Sequence, residues 1–374
     1  IMKKIRFTVL HPAGTNVDLI KDEGQIPSTL GNIKNVDATI VSCHIESNAA
    51  NMNSVPGLSV KHIPLIINNP ITGIVYLFLN SKKIDWLNIY FAGRQAYIWM
   101  RLYRFLNRRG HIYLKLDLDF RGCDLYDSNA KERRIFKKNV AIADIVSVES
   151  KAVKERIQKY SAKELLIIED GISKLNFKPV VNVDRDDIFI TVGRLGTYQK
   201  ATDILLEAFE KSSQKHNWKL KLIGNIQEDF KGYIEEFYEK YPDMRGRVIF
   251  TGSINDREAL YSEYCHAKVF VLPSRWESFG ISAAEALYCG CHLILSNAIP
   301  PAFEMTNDKK YGEIIKTENV EAWRDALIAA TQKEYQQSEI NEIVSYANKQ
   351  FSWERICEKL FLEMNKIMEE NSIE

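Results

Sequence analysis

The chain has 374 residues, 45% hydrophobic and 26% charged, with 18 Gly and 10 Pro, which fits a folded globular protein and excludes a disordered, collagen-like or disulfide-scaffold chain. Lys+Arg total 50 and Asp+Glu 49, a formal net charge of +1, which argues against a nucleic-acid footprint over the whole protein. The mean hides an asymmetry: residues 1–175 carry 26 Lys+Arg and 17 Asp+Glu and the remainder 24 and 32, so a basic half suited to an anionic partner precedes an acidic one.

Residues 1–10 form a short apolar run with an internal charge, followed by His11-Pro12-Ala13-Gly14. This reads as a first strand and loop rather than a signal peptide. No run of ~18 apolar residues follows, so no membrane span is expected. Strands are expected at 5–10, 38–45, 58–64, 85–91, 111–119, 143–149 and 165–169, then at 187–193, 218–223, 247–251, 268–272, 292–296 and 312–316. Helical patterns separate them, and strand–helix alternation implies parallel sheets covered on both faces. A stretch at 171–186, with Gly171, Pro179, Asn182 and Asp184 and no sustained period, divides the halves. Residues 338–370 read as helical, with Trp353, Ile356, Leu360 and Met364 on one face. The expected organisation is an α/β chain of two doubly wound Rossmann-like domains facing across a cleft. These are an acceptor domain at 1–170, a donor domain at 171–350, and a terminal helix at 351–374 packing back on the first. Six cysteines without a CxxC pair read as buried thiols in a reducing, cytoplasmic setting.

The most informative stretch is Pro273-Ser274-Arg275-Trp276-Glu277-Ser278-Phe279-Gly280-Ile281-Ser282-Ala283-Ala284-Glu285-Ala286-Leu287. An expected strand ends at Pro273, and a small-residue helix begins near Gly280. Free N–H groups at such a helix start, with the helix dipole, make an anion site. Glu277 falls in the loop and Glu285 inside the helix. A carboxylate among alanines needs a donor, and sugar or ribose hydroxyls would serve.

Glu277-x7-Glu285 within this stretch resembles the signature of GT-B, family-4-type (group 1) retaining glycosyltransferases. Val192-Gly193-Arg194-Leu195 with Gln199-Lys200-Ala201-Thr202-Asp203 resembles the family's Gly-Arg-Leu…Lys-Gly…Asp segment, with Ala201 at the glycine. Ile167-Ile168-Glu169-Asp170-Gly171-Ile172 resembles its interdomain junction, with Asp170 where Asn is usual. Glu304-Met305 is a weaker match. The resemblance implies that Arg194 and Lys200 grip the leaving nucleotide diphosphate. It gives the N–H groups of Ser278, Phe279, Gly280 and Ile281 to phosphate and donor sugar, Glu277 to a sugar hydroxyl and Glu285 to the ribose. No cofactor and no metal are implied, since cations and amide dipoles stabilise the developing charge. Where the family has a Gly-Gly pair after its first strand, this chain has Gly14 with Thr15, placed to approach the donor. The family's first-domain histidine has no clear counterpart; His44 and His111 stand nearest.

In Tyr113-Leu114-Lys115-Leu116-Asp117-Leu118-Asp119, alternation sets Lys115, Asp117 and Asp119 on one strand face. Asp117, or Asp119, is thus the candidate to orient an acceptor hydroxyl, with a salt-bridged strand end as the plainer alternative. The same residues spell the DxD of metal-dependent glycosyltransferases, a motif of a different, single-sheet architecture. Residues 97–109 mix Arg with Trp, Tyr, Phe and Leu at helical spacing. They read either as a crossover helix with aromatics on the sheet and Arg outward, or as a helix on an anionic membrane. Lys131, Arg133, Arg134, Lys137 and Lys138 add a second basic cluster. The expected partners are a nucleotide-sugar donor, a glycan, lipid-linked or protein acceptor, and an anionic membrane at its inner face, with no nucleic acid. The rival functions are a glycoside phosphorylase or sucrose-type synthase on the same scaffold, and a non-catalytic partner subunit.

Overall fold

In a computed structural model of the protein, the structure describes residues 4–33, 35–46, 52, 55–172, 177–179 and 184–373. Residues 1–3 of the expected N-terminal strand entry, and 173–176 and 180–183 of the expected linker, lie outside the described residues. The first sheet has seven strands: β1 (Ile5–Leu10), β2 (Val36–Ser42), β3 (Leu58–His62), β4 (Trp86–Tyr90), β5 (His111–Lys115), β6 (Ile145–Val148) and β7 (Leu166–Ile167). Their order is β3-β2-β1-β4-β5-β6-β7. The second sheet comprises β8 (Asp186–Val192), β9 (Lys219–Ile223), β10 (Val248–Gly252), β11 (Ala267–Leu272), β12 (His292–Ser296) and β13 (Gly312–Ile315), ordered β10-β9-β8-β11-β12-β13. All pairings are parallel. β4, β5, β6 and β12 are buried at every residue, as expected of parallel strands covered on both faces. Each expected strand is present, and the two-sheet α/β architecture is the one the sequence implied.

In each sheet the winding reverses between the first strand and the fourth, β1 beside β4 and β8 beside β11. Ligands in open α/β sheets gather beyond the strand C-termini at such a switch point.

Two compact units result: Ile1–Ser173 with Ser352–Glu374, and Lys174–Phe351. The helix Trp353–Ile373 supplies Trp353, Ile356, Leu360 and Met364 to the core that holds Phe7, Val9 and Trp86 of the first sheet. In the second unit Phe189, Phe209, Leu220 and Trp323 share a core.

Two expectations need correction. The strand at 111–119 stops at Lys115, because Asp119 caps the helix Phe120–Ser128 by accepting from the Gly122 N–H at 2.8 Å. A capping residue cannot also sit in a ladder. The helical pattern at 338–370 is two helices, Gln337–Gln350 and Trp353–Ile373. Ser352 between them forms a β-bridge with Ile172, and an extended residue interrupts the helix. The segment 97–109 is a crossover helix on one face, with Trp99, Met100 and Tyr103 of the helix Arg94–Leu106 buried, while Ile98, Arg101 and Phe105 on its other face are exposed. All six cysteines are buried, and none forms a disulfide.

Candidate active site

The second sheet's switch point brings two loops together. One follows β8 and carries Gly193, Arg194, Gln199 and Lys200; the other follows β11 and runs to the helix Ile281–Tyr288. The Arg275 backbone N–H donates to Gln199 O at 2.8 Å. The Arg275 guanidinium donates to Tyr198 O at 2.7 Å and to Asp203 at 2.9 and 3.2 Å, pairs with Glu318, and lies 4.1 Å from the Tyr198 ring centre. Arg275 thus ties the loops into one body.

Within it, Lys200 Nζ donates to Glu277 Oε1 at 2.5 Å. Ser274 Oγ donates to the same oxygen at 2.6 Å, and Gln199 Nε2 lies 3.5 Å from Oε2. Gln199 also donates to Trp276 O at 3.0 Å and accepts from Arg194 Nη2 at 2.8 Å. A chain of contacts therefore runs Arg194–Gln199–Glu277–Lys200. Glu277 is buried, Lys200 half-buried and Arg194 exposed. The Lys200 stem lies along Gly193, where a Cβ would stand 3.2 Å from its Cε. Ala201, at the family's glycine, adopts φ 50° and ψ 41°. That left-handed conformation is the one a glycine takes at least cost.

Gly280 caps the helix Ile281–Tyr288 with φ 95°, a region only glycine enters freely. Its carbonyl receives the Ala283 N–H at 2.9 Å. The N–H groups ahead of Ala283 at the helix start have no intrahelical acceptor, and the stretch Ser278, Phe279, Gly280 and Ile281 carries such groups. Inside the helix, buried Glu285 takes its donors from the protein. Arg257 pairs with Oε1, and Tyr264 Oη lies 3.5 Å from Oε2. Burial alone would lower the Arg257 pKa, but Glu285 and Tyr261 raise it above its ordinary value. Burial followed by Glu285 pushes the Tyr264 phenol up. Glu304 lies in the short helix Ala302–Met305 beyond β12.

At the first sheet's C-terminal edge stands a buried ionic cluster. Lys115 Nζ contacts Glu149 at 2.7 Å, Asp170 at 3.1 Å and Asp22 at 3.3 Å. Burial opposes the Lys115 charge, and the three carboxylates overcome it and raise its pKa. Burial lifts Asp170 to about 7 against the opposing pull of Lys115, and likewise raises Glu149. The Asp at the family's junction asparagine is therefore a partner of Lys115. Asp117 is half-buried beyond the strand, and its charge raises both Glu149 and Asp170. Asp119, besides capping its helix, pairs with Arg121 at 2.6 Å.

The Gly14–Thr15 turn is closed by Asp18, whose Oδ2 receives the Thr15 N–H at 2.8 Å. His11, Asp18 and Glu23 place one metal-ligand atom each within 4.8 Å of one another, but Asp18 already binds Thr15 and Lys21. His111 stacks on Trp86 at 4.8 Å at the sheet's other edge, and His44 is exposed.

Sequence reading assigned no role to Gln199, Arg257 or Arg275. Gln199 adjoins Lys200, which was its one signal. Arg257 stands 28 residues from Glu285, and no periodicity links the two.

Residues 173–350 match the family model described as glycosyl transferases group 1. An uncharacterised glycosyltransferase of Methanocaldococcus jannaschii is 36% identical over 125 residues, 33% of this chain and 31% of its own. A probable sucrose-phosphate synthase of Thermosipho melanesiensis is 25% identical over 255 residues, 64% of this chain and 58% of its own. The matches thus span about a third and somewhat over half of these relatives' lengths. The solved structure of Anabaena HepE in complex with UDP shares the fold, with a TM-score of 0.70 at 16% identity over 97% of this chain and 100% of that one. The matched segment holds Arg194, Lys200, Glu277, Gly280 and Glu285 together, so residues 173–350 form a segment of the group 1 glycosyl transferase type.

Proposed function

We propose that the chain is a retaining glycosyltransferase that moves a hexose or related sugar from a nucleotide diphosphate-sugar to a glycan, lipid-linked or protein acceptor. The observation that carries this is the Arg194–Gln199–Glu277–Lys200 chain at the second switch point, beside the helix start at Gly280. Breaking a sugar–phosphate bond leaves charge on the diphosphate, and preorganised cations and amide dipoles stabilise that charge most effectively. Arg194 and Lys200 supply the cations, without metal, and the N–H groups of Ser278, Phe279, Gly280 and Ile281 the dipoles. Glu277 takes a sugar hydroxyl and Glu285 the ribose. Retention follows from attack on the face the diphosphate leaves, the departing phosphate oxygen accepting the acceptor's proton. The first unit takes the acceptor, with Asp117 orienting its hydroxyl. Gly14 and Thr15 reach the donor only once Asp18 releases the Thr15 N–H. The setting is the cytoplasm, extending to the inner face of an anionic membrane.

A thermal-shift screen of UDP, GDP, dTDP and ADP with matching sugars tests this. The right nucleotide stabilises the native state by mass action. Binding of none of them overturns the enzyme reading in favour of a partner subunit. Phosphate-dependent formation of a sugar phosphate makes the chain a phosphorylase instead.

A further inference from the structure

Two neighbouring helices of the first unit end in the same way. The helix Asn69–Asn80 exposes Phe78 and Leu79 at 69% and 68% and is followed by exposed Lys82 and Lys83. The helix Arg94–Leu106 exposes Phe105 at 76% and is followed by exposed Arg108 and Arg109. The two lie side by side and run in one direction. Trp99 Nε1 donates to Pro70 O at 2.9 Å near the start of the first, and Asn107 Nδ2 donates to Ser81 O at 2.9 Å where both end. The two apolar groups and the two cation pairs therefore share one edge.

The outer face of Arg94–Leu106 extends this surface. Arg94, Ile98, Arg101 and Phe105 are all exposed, and their spacing of four, three and four places them in one stripe. Lys138 of the helix Ala130–Ile142 joins it, with Nζ 5.7 Å from the Tyr97 ring centre. Segments 69–83 and 94–109 together hold seven Lys+Arg and no Asp or Glu. Among the described residues no ion pair engages Lys82, Lys83, Arg108 or Arg109.

We propose that this face docks on an anionic lipid bilayer. Cations meet lipid phosphates there while adjacent apolar side chains enter the headgroup–acyl boundary. Leu79 and Ile98, which offer nothing to a nucleic-acid base, favour lipid over nucleic acid. The inference rests on the membrane setting proposed above, names the surface that would make the contact, and does not depend on sugar transfer.

Co-sedimentation of the full chain with phosphatidylcholine–phosphatidylglycerol vesicles, against phosphatidylcholine alone, tests it. Binding is expected to the anionic vesicles only and to weaken with salt. Arg108→Glu with Arg109→Glu, and separately Phe78→Ser with Phe105→Ser, are each expected to lower partitioning about tenfold or more. The melting temperature and the nucleotide-induced thermal shift should stay unchanged, separating a failure here from a failure of the transferase reading. No binding to anionic vesicles, equal binding by the variants, or a preference for single-stranded RNA over vesicles overturns it.

Discussion

Lys200 Nζ lies 2.5 Å from Glu277 Oε1, and Ser274 Oγ shares that oxygen. An ammonium has three N–H donors, so the pair orients Lys200 and leaves donors for a phosphate. Lys200→Ala and Glu277→Ala are each expected to lower kcat/KM about 10²–10³-fold. The double variant should lose little more, because groups acting as a unit are not additive. Initial rates of nucleotide release measure this, with melting curves as the check on folding. Turnover like the wild type in either single variant removes these residues from the site.

Gln199 joins Arg194 to the Glu277 loop. Gln199→Leu keeps the size and deletes the link. Nucleotide affinity should fall about tenfold, the worth of one or two hydrogen bonds. Titration calorimetry reads it, and an unchanged Kd would make Gln199 a bystander.

Glu285 is buried against Arg257. Arg257→Met leaves its carboxylate without a cation and is expected to cost about 3–5 kcal/mol of stability. Adding Glu285→Leu should restore much of that loss without restoring nucleotide binding. Urea denaturation gives the first quantity and thermal shift the second.

Asp170 titrates near 7 in the folded chain because burial outweighs Lys115, against an ordinary value near 4. Between about pH 4 and pH 7 the folded state therefore holds a proton that the unfolded state has released. The stability this contributes is present at low pH and is lost as pH rises through 7. Asp170→Asn, which carries no titrating proton, should be more costly at pH 5 than at pH 8. Unfolding free energies of both proteins across that range test the slope, and a pH-independent difference would refute it.

The strands were legible because parallel strands buried on both faces are continuous apolar runs between turn residues, as in β12, which matches its expected bounds. The loop between β11 and Gly280 was legible because strand, glycine turn and alanine-rich helix are adjacent in sequence. Local alternation misled at 116–119, where Leu116 and Leu118 continue the face of Leu114 beyond the strand's end at Lys115 although Asp119 has turned to cap a helix. Contacts between distant residues left no local trace. The Lys115–Asp170 pair and the Arg257–Glu285 pair are set by where strand ends and helices converge in three dimensions, which no spacing rule encodes.

The second unit is drawn from one continuous stretch, whereas the first needs Phe7 and Met364 in the same core. On the ribosome, segment 174–351 emerges complete while the earlier sheet still lacks the helix that seals it. Domains usually fold in the order they are made. Here the half that holds the proposed donor site is free to mature first, and the half that began synthesis closes last.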